Sequence, residues 1–189
     1  MAISNNSTGL RPGVCTSTTR PTAPYEGQMI YETDTDMVAI WNGSAWRYIS
    51  ATTPTNGTVL QVVTATTASP TQSTSATHAD TTLTVTITPK STTSKIFVMT
   101  NQSVYNSGAA NSTSVRLVRG STTLQLQTDT VYSTATDIVG NCSFMFLDSP
   151  ATTSATIYKT TFARTSGTGI SYVQINTNPS NITVMEISG

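Results

Sequence analysis

Hydrophobic and polar residues alternate along much of this chain with the two-residue period of a half-buried β-strand. The clearest case is the segment 82–88, in which Leu83, Val85 and Ile87 alternate with threonine. Such a strand has one apolar and one polar face, which is typical of an antiparallel sheet that covers a core on one side. No segment has the 3.6-residue period of an amphipathic helix. The pattern therefore predicts an all-β protein.

Nine such strands are predicted after residue 57, separated by polar turns. They are 58–64, 82–88, 95–101, 114–119, 122–127, 142–147, 155–163, 170–176 and 181–188. Gly120-Ser121 is predicted as a hairpin turn. This spacing predicts an antiparallel β-sandwich or jelly roll over residues 58–189. The last strand carries apolar groups on both faces, so it is predicted in the core or at a subunit interface, through Ile182, Val184, Met185 and Ile187.

Residues 28–50 predict a smaller three-stranded meander. Strands are predicted at 28–33, 37–41 and 45–49, with a turn over 33–36. Asn42-Gly43 is typical of a type I′ hairpin turn, in which both central residues have positive φ. The bulky residues of this module are Tyr31, Trp41, Trp46 and Tyr48. A meander of this size buries too little surface to fold alone, so it is predicted to need a neighbour.

Two polar segments flank the meander. Residues 1–27 are rich in Ser, Thr, Pro, Gly and Asn, and are predicted to form an extended arm that lies against a partner chain. Residues 51–57 are predicted to be a linker. The sequence thus divides into an arm, a meander, a linker and a sandwich domain.

Composition supports the strand prediction and reduces the number of partner classes to be expected. Threonine makes up about a fifth of the chain, and this β-branched residue favours strands. Net charge is zero and only 10% of residues are charged, without a basic stripe, so nucleic acid is not an expected partner. No apolar run reaches the ~18 residues of a membrane span, and residues 1–13 do not resemble a signal peptide. Assembly in a cytoplasm is therefore expected, with Cys15 and Cys142 as unpaired thiols; a disulfide is the alternative.

The sequence offers little for catalysis, and no enzyme activity or cofactor is predicted. His78 is the single histidine and is predicted to be a solvated loop residue, although Asp80 and many serines lie nearby in sequence. The candidate carboxylates for glycan cleavage are Asp34 with Asp36, and the isolated Asp129, Asp137, Asp148 and Glu186; a weak Ca²⁺ site built from loop carboxylates and carbonyls is the alternative. Four tyrosines are predicted to pack in the core or an interface, with a sugar-binding platform as the alternative: Tyr105, Tyr132, Tyr158 and Tyr172.

Two groups of segments resemble bacteriophage virion proteins. Arg20-Pro-Thr-Ala-Pro-Tyr-Glu-Gly-Gln28, followed by a strand and Trp41-Asn-Gly-Ser-Ala-Trp46, resembles the N-terminal module of tailed-phage fibre-like proteins. Ser94–Val98, Phe146–Lys159 and Ile182–Ile187 are similar to fibre-tip domains of trimeric jelly-roll type. The chain has no shaft repeat or coiled coil, which departs from a long tail fibre.

The resemblance implies a trimeric structural protein of a phage virion. A short surface or tail fibre is expected, which is anchored to other virion proteins by its N-terminal arm and adheres to a host-surface glycan. A capsid decoration or head-fibre protein is the first alternative, and a glycan-cleaving spike is the second. The resemblance implies the following anchoring candidates: Arg11, Pro12, Arg20, Tyr25, Tyr31, Trp41 and Trp46.

Overall fold

A computed structural model of the protein describes residues 12–49, 56–134 and 137–189. The chain divides into two compact units, Met1–Thr53 and Pro54–Gly189. The division falls within the predicted linker 51–57. The described residues form β-strands, turns and one short 3-10 turn at Ile175–Thr177, so the all-β prediction is confirmed.

The first unit is a four-stranded sheet in the order β1-β2-β3-β4. The predicted meander forms β2 (Met29–Glu32), β3 (Met37–Trp41) and β4 (Trp46–Ile49), and the predicted turn lies between β2 and β3. Strand β1 (Gly13–Cys15) comes from the predicted arm and pairs with β2 in parallel. Ile30, Glu32 and Ala39 are the buried residues of this sheet.

The loop between β3 and β4 differs from the predicted type I′ turn. Trp41 pairs with Trp46, which leaves a four-residue loop rather than two residues. In this loop only Gly43 has a positive φ, at 91°. The Asn42 side-chain oxygen accepts hydrogen bonds from the backbone N–H groups of Ser44 (3.1 Å) and Ala45 (2.9 Å). Asn42 therefore closes the loop through its side chain, and the type I′ prediction was wrong.

The second unit is a β-sandwich of two sheets. One sheet has the order β10-β9-β12-β7, and the other has the order β5-β14-β8-β13-β6, with β11 on the remaining edge of β8. The strands are β5 (Val59–Thr67), β6 (Thr71–Ser73), β7 (Ala79–Ile87), β8 (Lys95–Asn106), β9 (Asn111–Arg119), β10 (Thr122–Ser133), β11 (Ile138–Asp148), β12 (Thr156–Ser166), β13 (Ser171–Val173) and β14 (Ser180–Ile187). Each of the nine predicted segments overlaps one strand, and β6 was not predicted.

The core lies between the two sheets and follows the predicted alternation. Leu83, Val85 and Ile87 of β7 are buried, whereas the threonines between them are exposed. Strand β14 lies between β5 and β8 and is therefore an inner strand of its sheet. Its Ile182 and Val184 are fully buried in the core. Met185 and Ile187 are half-buried on the opposite face, outside the core.

The two cysteines are unpaired and differ in exposure. Cys15 is half-buried on β1, whereas Cys142 is fully buried in the sandwich core. Burial raises the pKa of the Cys142 thiol to about 11, which suppresses the reactive thiolate.

We expect a thiol reagent at pH 8 to label one cysteine per native chain and both after denaturation. Peptide mapping should place the native label on Cys15; native labelling of Cys142 would contradict its burial.

Candidate interaction surfaces

The predicted anchoring residues lie on the first unit at different depths. Tyr25 is 69% exposed, whereas the other described candidates are half-buried: Pro12, Arg20, Tyr31, Trp41 and Trp46. Arg11 lies outside the described residues. The two tryptophan rings contact each other edge to face at the end of the β3–β4 hairpin, with centroids 5.6 Å apart. The structure thus brings the tryptophans together and leaves Tyr25 free for contact.

A buried carboxylate organises the first unit. Glu32 is fully buried, and its oxygens accept hydrogen bonds from Arg20 Nε (2.5 Å), the Tyr48 hydroxyl (2.9 Å) and Thr35 Oγ1 (3.1 Å). Arg20 also donates to the Tyr48 hydroxyl at 2.7 Å and lies over the Tyr48 ring. The hydrogen bond from Arg20 is the main cause that lowers the pKa of Glu32. Glu32 was missed in the sequence because a Glu at the end of a strand usually faces solvent.

The described part of the arm is held by its own unit. Ser17 donates its backbone N–H (2.8 Å) and its hydroxyl (2.5 Å) to the Asp34 carboxylate in the β2–β3 turn. Strand β1 and the Arg20–Glu32 ion pair add two further attachments. The arm is predicted from its composition to lie against a partner chain, but residues 12–27 already have these contacts within their own chain. Asp34 therefore fastens the arm to the β2–β3 turn.

The Glu32 network predicts acid sensitivity of the first unit. Because the pKa of Glu32 is lowered in the folded state, its stabilising effect is complete above the unfolded-state pKa near 4.5 and is lost as the pH falls through the folded-state pKa. Both tryptophans of the chain lie in this unit, so tryptophan fluorescence follows its unfolding selectively. We expect Arg20→Ala to shift the acid-unfolding midpoint to higher pH. Arg47→Ala, at an exposed position on β4, is the control; an unchanged midpoint in Arg20→Ala would contradict this role.

A patch of apolar side chains lies on the outer face of the larger sheet in the second unit. Strand register places Val62, Met185, Phe97 and Leu147 in one row across β5, β14, β8 and β11. The next row contains Thr64, Thr183, Met99 and Met145. Met145 is 71% exposed, and Val62 and Leu147 are more than half exposed. We call Val62, Phe97, Met99, Met145, Leu147 and Met185 the apolar face.

The four candidate tyrosines occupy three different environments. Tyr158 is fully buried, and its hydroxyl donates to Asp148, as core packing predicts. Tyr132 is half-exposed on β10, without a ring partner among the described residues. Tyr105 on β8 and Tyr172 on β13 are directly opposite in register, with ring centroids 5.3 Å apart. The structure thus assembles one tyrosine pair, which spacing in the sequence did not reveal.

His78 lies in the loop between β6 and β7, as predicted, but it is half-buried and not fully solvated. Its Nε2 lies 2.7 Å from the Ser114 hydroxyl, and its Nδ1 lies 3.3 Å from the Thr161 hydroxyl. Burial and the nearby Arg116 lower the pKa of His78, which favours its neutral form. Asp80 instead binds Lys159 Nζ at 2.6 Å. Ser114 is only 1% exposed. The Thr161 hydroxyl occupies the position beside His78 Nδ1 that a carboxylate has in a Ser-His-Asp triad, so these residues do not form such a triad.

The candidate carboxylates have local partners instead of each other. Asp36 accepts a hydrogen bond from the Tyr31 hydroxyl, and Asp129 from the Ser112 hydroxyl. Asp137 accepts from the Tyr105 hydroxyl and from the Gly108 backbone. Across the described ranges, no three His, Cys, Asp or Glu residues form a group that could hold a metal ion. Among the same residues, no helix has the length and apolar character needed to cross a membrane.

Comparisons with known proteins give only remote similarities. No protein-family model and no curated protein matches the chain. Among solved structures, the chain is similar to the crystal structure of the infectious bursal disease virus VP2 subviral particle, with 11% identity and a TM-score of 0.39 over 90% of this chain and 46% of that one. Structures of the Gt and Gx strains of the same virus match with 10% identity and TM-scores of 0.37 and 0.34, over 80% and 82% of this chain and 44% and 42% of theirs. The chain therefore spans less than half the length of these chains.

Proposed function

We propose that this protein is a non-enzymatic structural component of a tailed-phage virion that acts as a short trimeric fibre. The observation that carries the proposal is the apolar face, which is exposed on a unit whose remaining surface is rich in threonine and serine. Exposed apolar patches of this kind usually mark surfaces that are buried in an assembly. The resemblance of residues 20–46 to phage fibre modules is the reason for proposing that the chain is part of a virion.

A second copy of the same chain is the proposed occupant of the apolar face. Neither of its two rows contains a charged residue, so identical subunits meet there without like-charge repulsion. Burial of methionine, leucine and phenylalanine side chains would stabilise the contact by the hydrophobic effect. The number of three copies comes from the resemblance to trimeric fibre tips.

The first unit is proposed as the anchor to other virion proteins. Several of its large hydrophobic residues are exposed although the unit is small, among them Val14 (70%), Tyr25 (69%) and Ile49 (52%). The Arg20–Glu32–Tyr48 network fixes the backbone from which these residues project. A rigid surface with exposed hydrophobic anchors binds with little loss of conformational entropy.

A virus that lacks this chain tests the proposed function. For a tail-associated fibre we expect normal particles that adsorb to host cells more slowly, with unchanged capsid stability to heat. Normal adsorption with a heat-labile capsid would overturn the fibre assignment in favour of a decoration protein. Release of reducing sugar from host polysaccharide by the purified chain would overturn the non-enzymatic assignment.

A further inference from the structure

The Tyr105–Tyr172 pair lies on the same side of the sheet as the apolar face but at the other end of β8. Register places Gln72, Tyr172, Tyr105 and Val139 in one row across β6, β13, β8 and β11. The two rings are inclined by 50° and are half-buried, and both neighbours in the row are exposed. The row therefore presents two adjacent aromatic rings with an amide on one side.

Hydrogen bonds hold one of these rings and a carboxylate in place. The Tyr105 hydroxyl donates to Asp137 Oδ2 at 2.6 Å, and the Gly108 backbone N–H donates to Asp137 Oδ1 at 3.0 Å. The bond to Asp137 raises the pKa of Tyr105 to about 12, so its hydroxyl remains protonated at neutral pH. Each carboxylate oxygen has a second lone pair, so Asp137 can still accept hydrogen bonds from a ligand.

The tyrosine pair lies far from the point where the chain enters the second unit. Gly57 donates its backbone N–H to the Ser188 carbonyl, next to Ile187, which pairs with Lys95 at the start of β8. Tyr105 lies ten residues further along β8, which corresponds to roughly 35 Å of extended strand. Residue 57 and the tyrosine pair therefore lie at opposite ends of β8.

We propose that Tyr105 and Tyr172 form a platform for a pyranose ring of a neutral oligosaccharide. The C–H groups on one face of a pyranose are apolar and slightly positive, and complement the negative face of an aromatic ring. Asp137 and Gln72 lie beside the rings, where they can exchange hydrogen bonds with sugar hydroxyls. The charge of Asp137 disfavours acidic sugars. This inference rests on the proposed function as a fibre that promotes adsorption to host cells, and it names a ligand class and a site for that adsorption.

Binding of the full-length chain to immobilised oligosaccharides tests the platform. The probes are neutral oligomers of glucose, galactose and N-acetylglucosamine, with oligogalacturonate as the acidic comparison. We expect at least one neutral probe to bind and oligogalacturonate to bind more weakly. Tyr172→Ala should lower the affinity about tenfold, which is the loss of one stacking contact, while Tyr172→Phe, which keeps the ring, should stay within about twofold. Tyr132→Ala, at a half-exposed tyrosine elsewhere, should bind as the unchanged chain does.

Three results would overturn the platform. They are the absence of binding to every neutral probe, an unchanged affinity in a folded Tyr172→Ala variant, or tighter binding of oligogalacturonate than of the neutral probes. The virus experiment separates this failure from failure of the proposed function. If only the platform is wrong, the oligosaccharides do not bind but the unchanged chain is still found in particles. Absence of the unchanged chain from particles contradicts the fibre itself.

Discussion

A variant with Met145→Asp and Leu147→Asp is expected to be monomeric at concentrations at which the unchanged chain is trimeric. Both side chains are more than half exposed in the single chain, so aspartate at these positions leaves the fold of each subunit intact. In an assembly the new carboxylates would be buried without partners, at a cost of about 3 kcal/mol or more. Light scattering after gel filtration should give one third of the mass of the unchanged protein.

Leu126→Asp is the matched control for the apolar face. Leu126 is 50% exposed and lies on the outer side of the other sheet, where it pairs with Arg116. We expect this variant to remain trimeric and to elute as the unchanged protein does. If the unchanged chain is already a monomer, or if Leu126→Asp dissociates the trimer as effectively as the double variant, the apolar face is not the subunit interface.

Gly169→Ala is expected to destabilise the second unit by about 3 kcal/mol. A Cβ atom at residue 169 would overlap the backbone carbonyl oxygen of Ser107. The strands on either side cannot separate easily, because Ser107 and Ile170 are joined by a backbone hydrogen bond of 2.9 Å and by a hydroxyl bond of 3.0 Å. Overpacking against fixed backbone costs about 3 kcal/mol. A urea titration followed by far-UV circular dichroism should show the loss.

Gly140→Ala provides the comparison for Gly169. A Cβ atom at residue 140 would lie 3.4 Å from a Val131 methyl carbon, a contact that a small side-chain movement relieves. We expect a change of less than about 1 kcal/mol in this variant. Equal stability of the two variants would mean that the loop at residue 169 adapts freely and does not fix the neighbouring end of β8.

The alternation of threonine with aliphatic residues was sufficient to predict most of the sandwich. In 82–88 each residue has only two possible orientations, and the hydrophobic effect selects one of them for the whole strand. Strands β1 and β6 escaped prediction because each has three residues within a polar segment, whereas the equally short β13 lies among apolar residues in 170–176. Both segments become strands because they pair with a neighbouring strand, β1 with β2 and β6 with β13, and such pairing depends on the tertiary fold.

The candidate sites were harder to predict because they depend on register. Phe97, Met99, Met145 and Leu147 belong to continuous apolar runs, and such runs do not reveal which residues face outward. Only the pairing of β8 with β11 places these side chains side by side. The Tyr105–Tyr172 pair similarly joins residues far apart in sequence. The partial burial of His78 was not predicted, because its serine and threonine neighbours in sequence indicated a solvated loop. The hydroxyl groups that contact its ring come from β9 and β12.

The proposed role in a virion is tested most directly by a cryo-electron microscopy map of particles purified from a phage whose genome carries the gene for this chain. We expect groups of three sandwich units on the particle, with Val62, Met145, Leu147 and Met185 buried between neighbouring copies and the first unit in contact with another virion protein. A map in which the chain is absent, or in which single copies expose these four side chains to solvent, would contradict it.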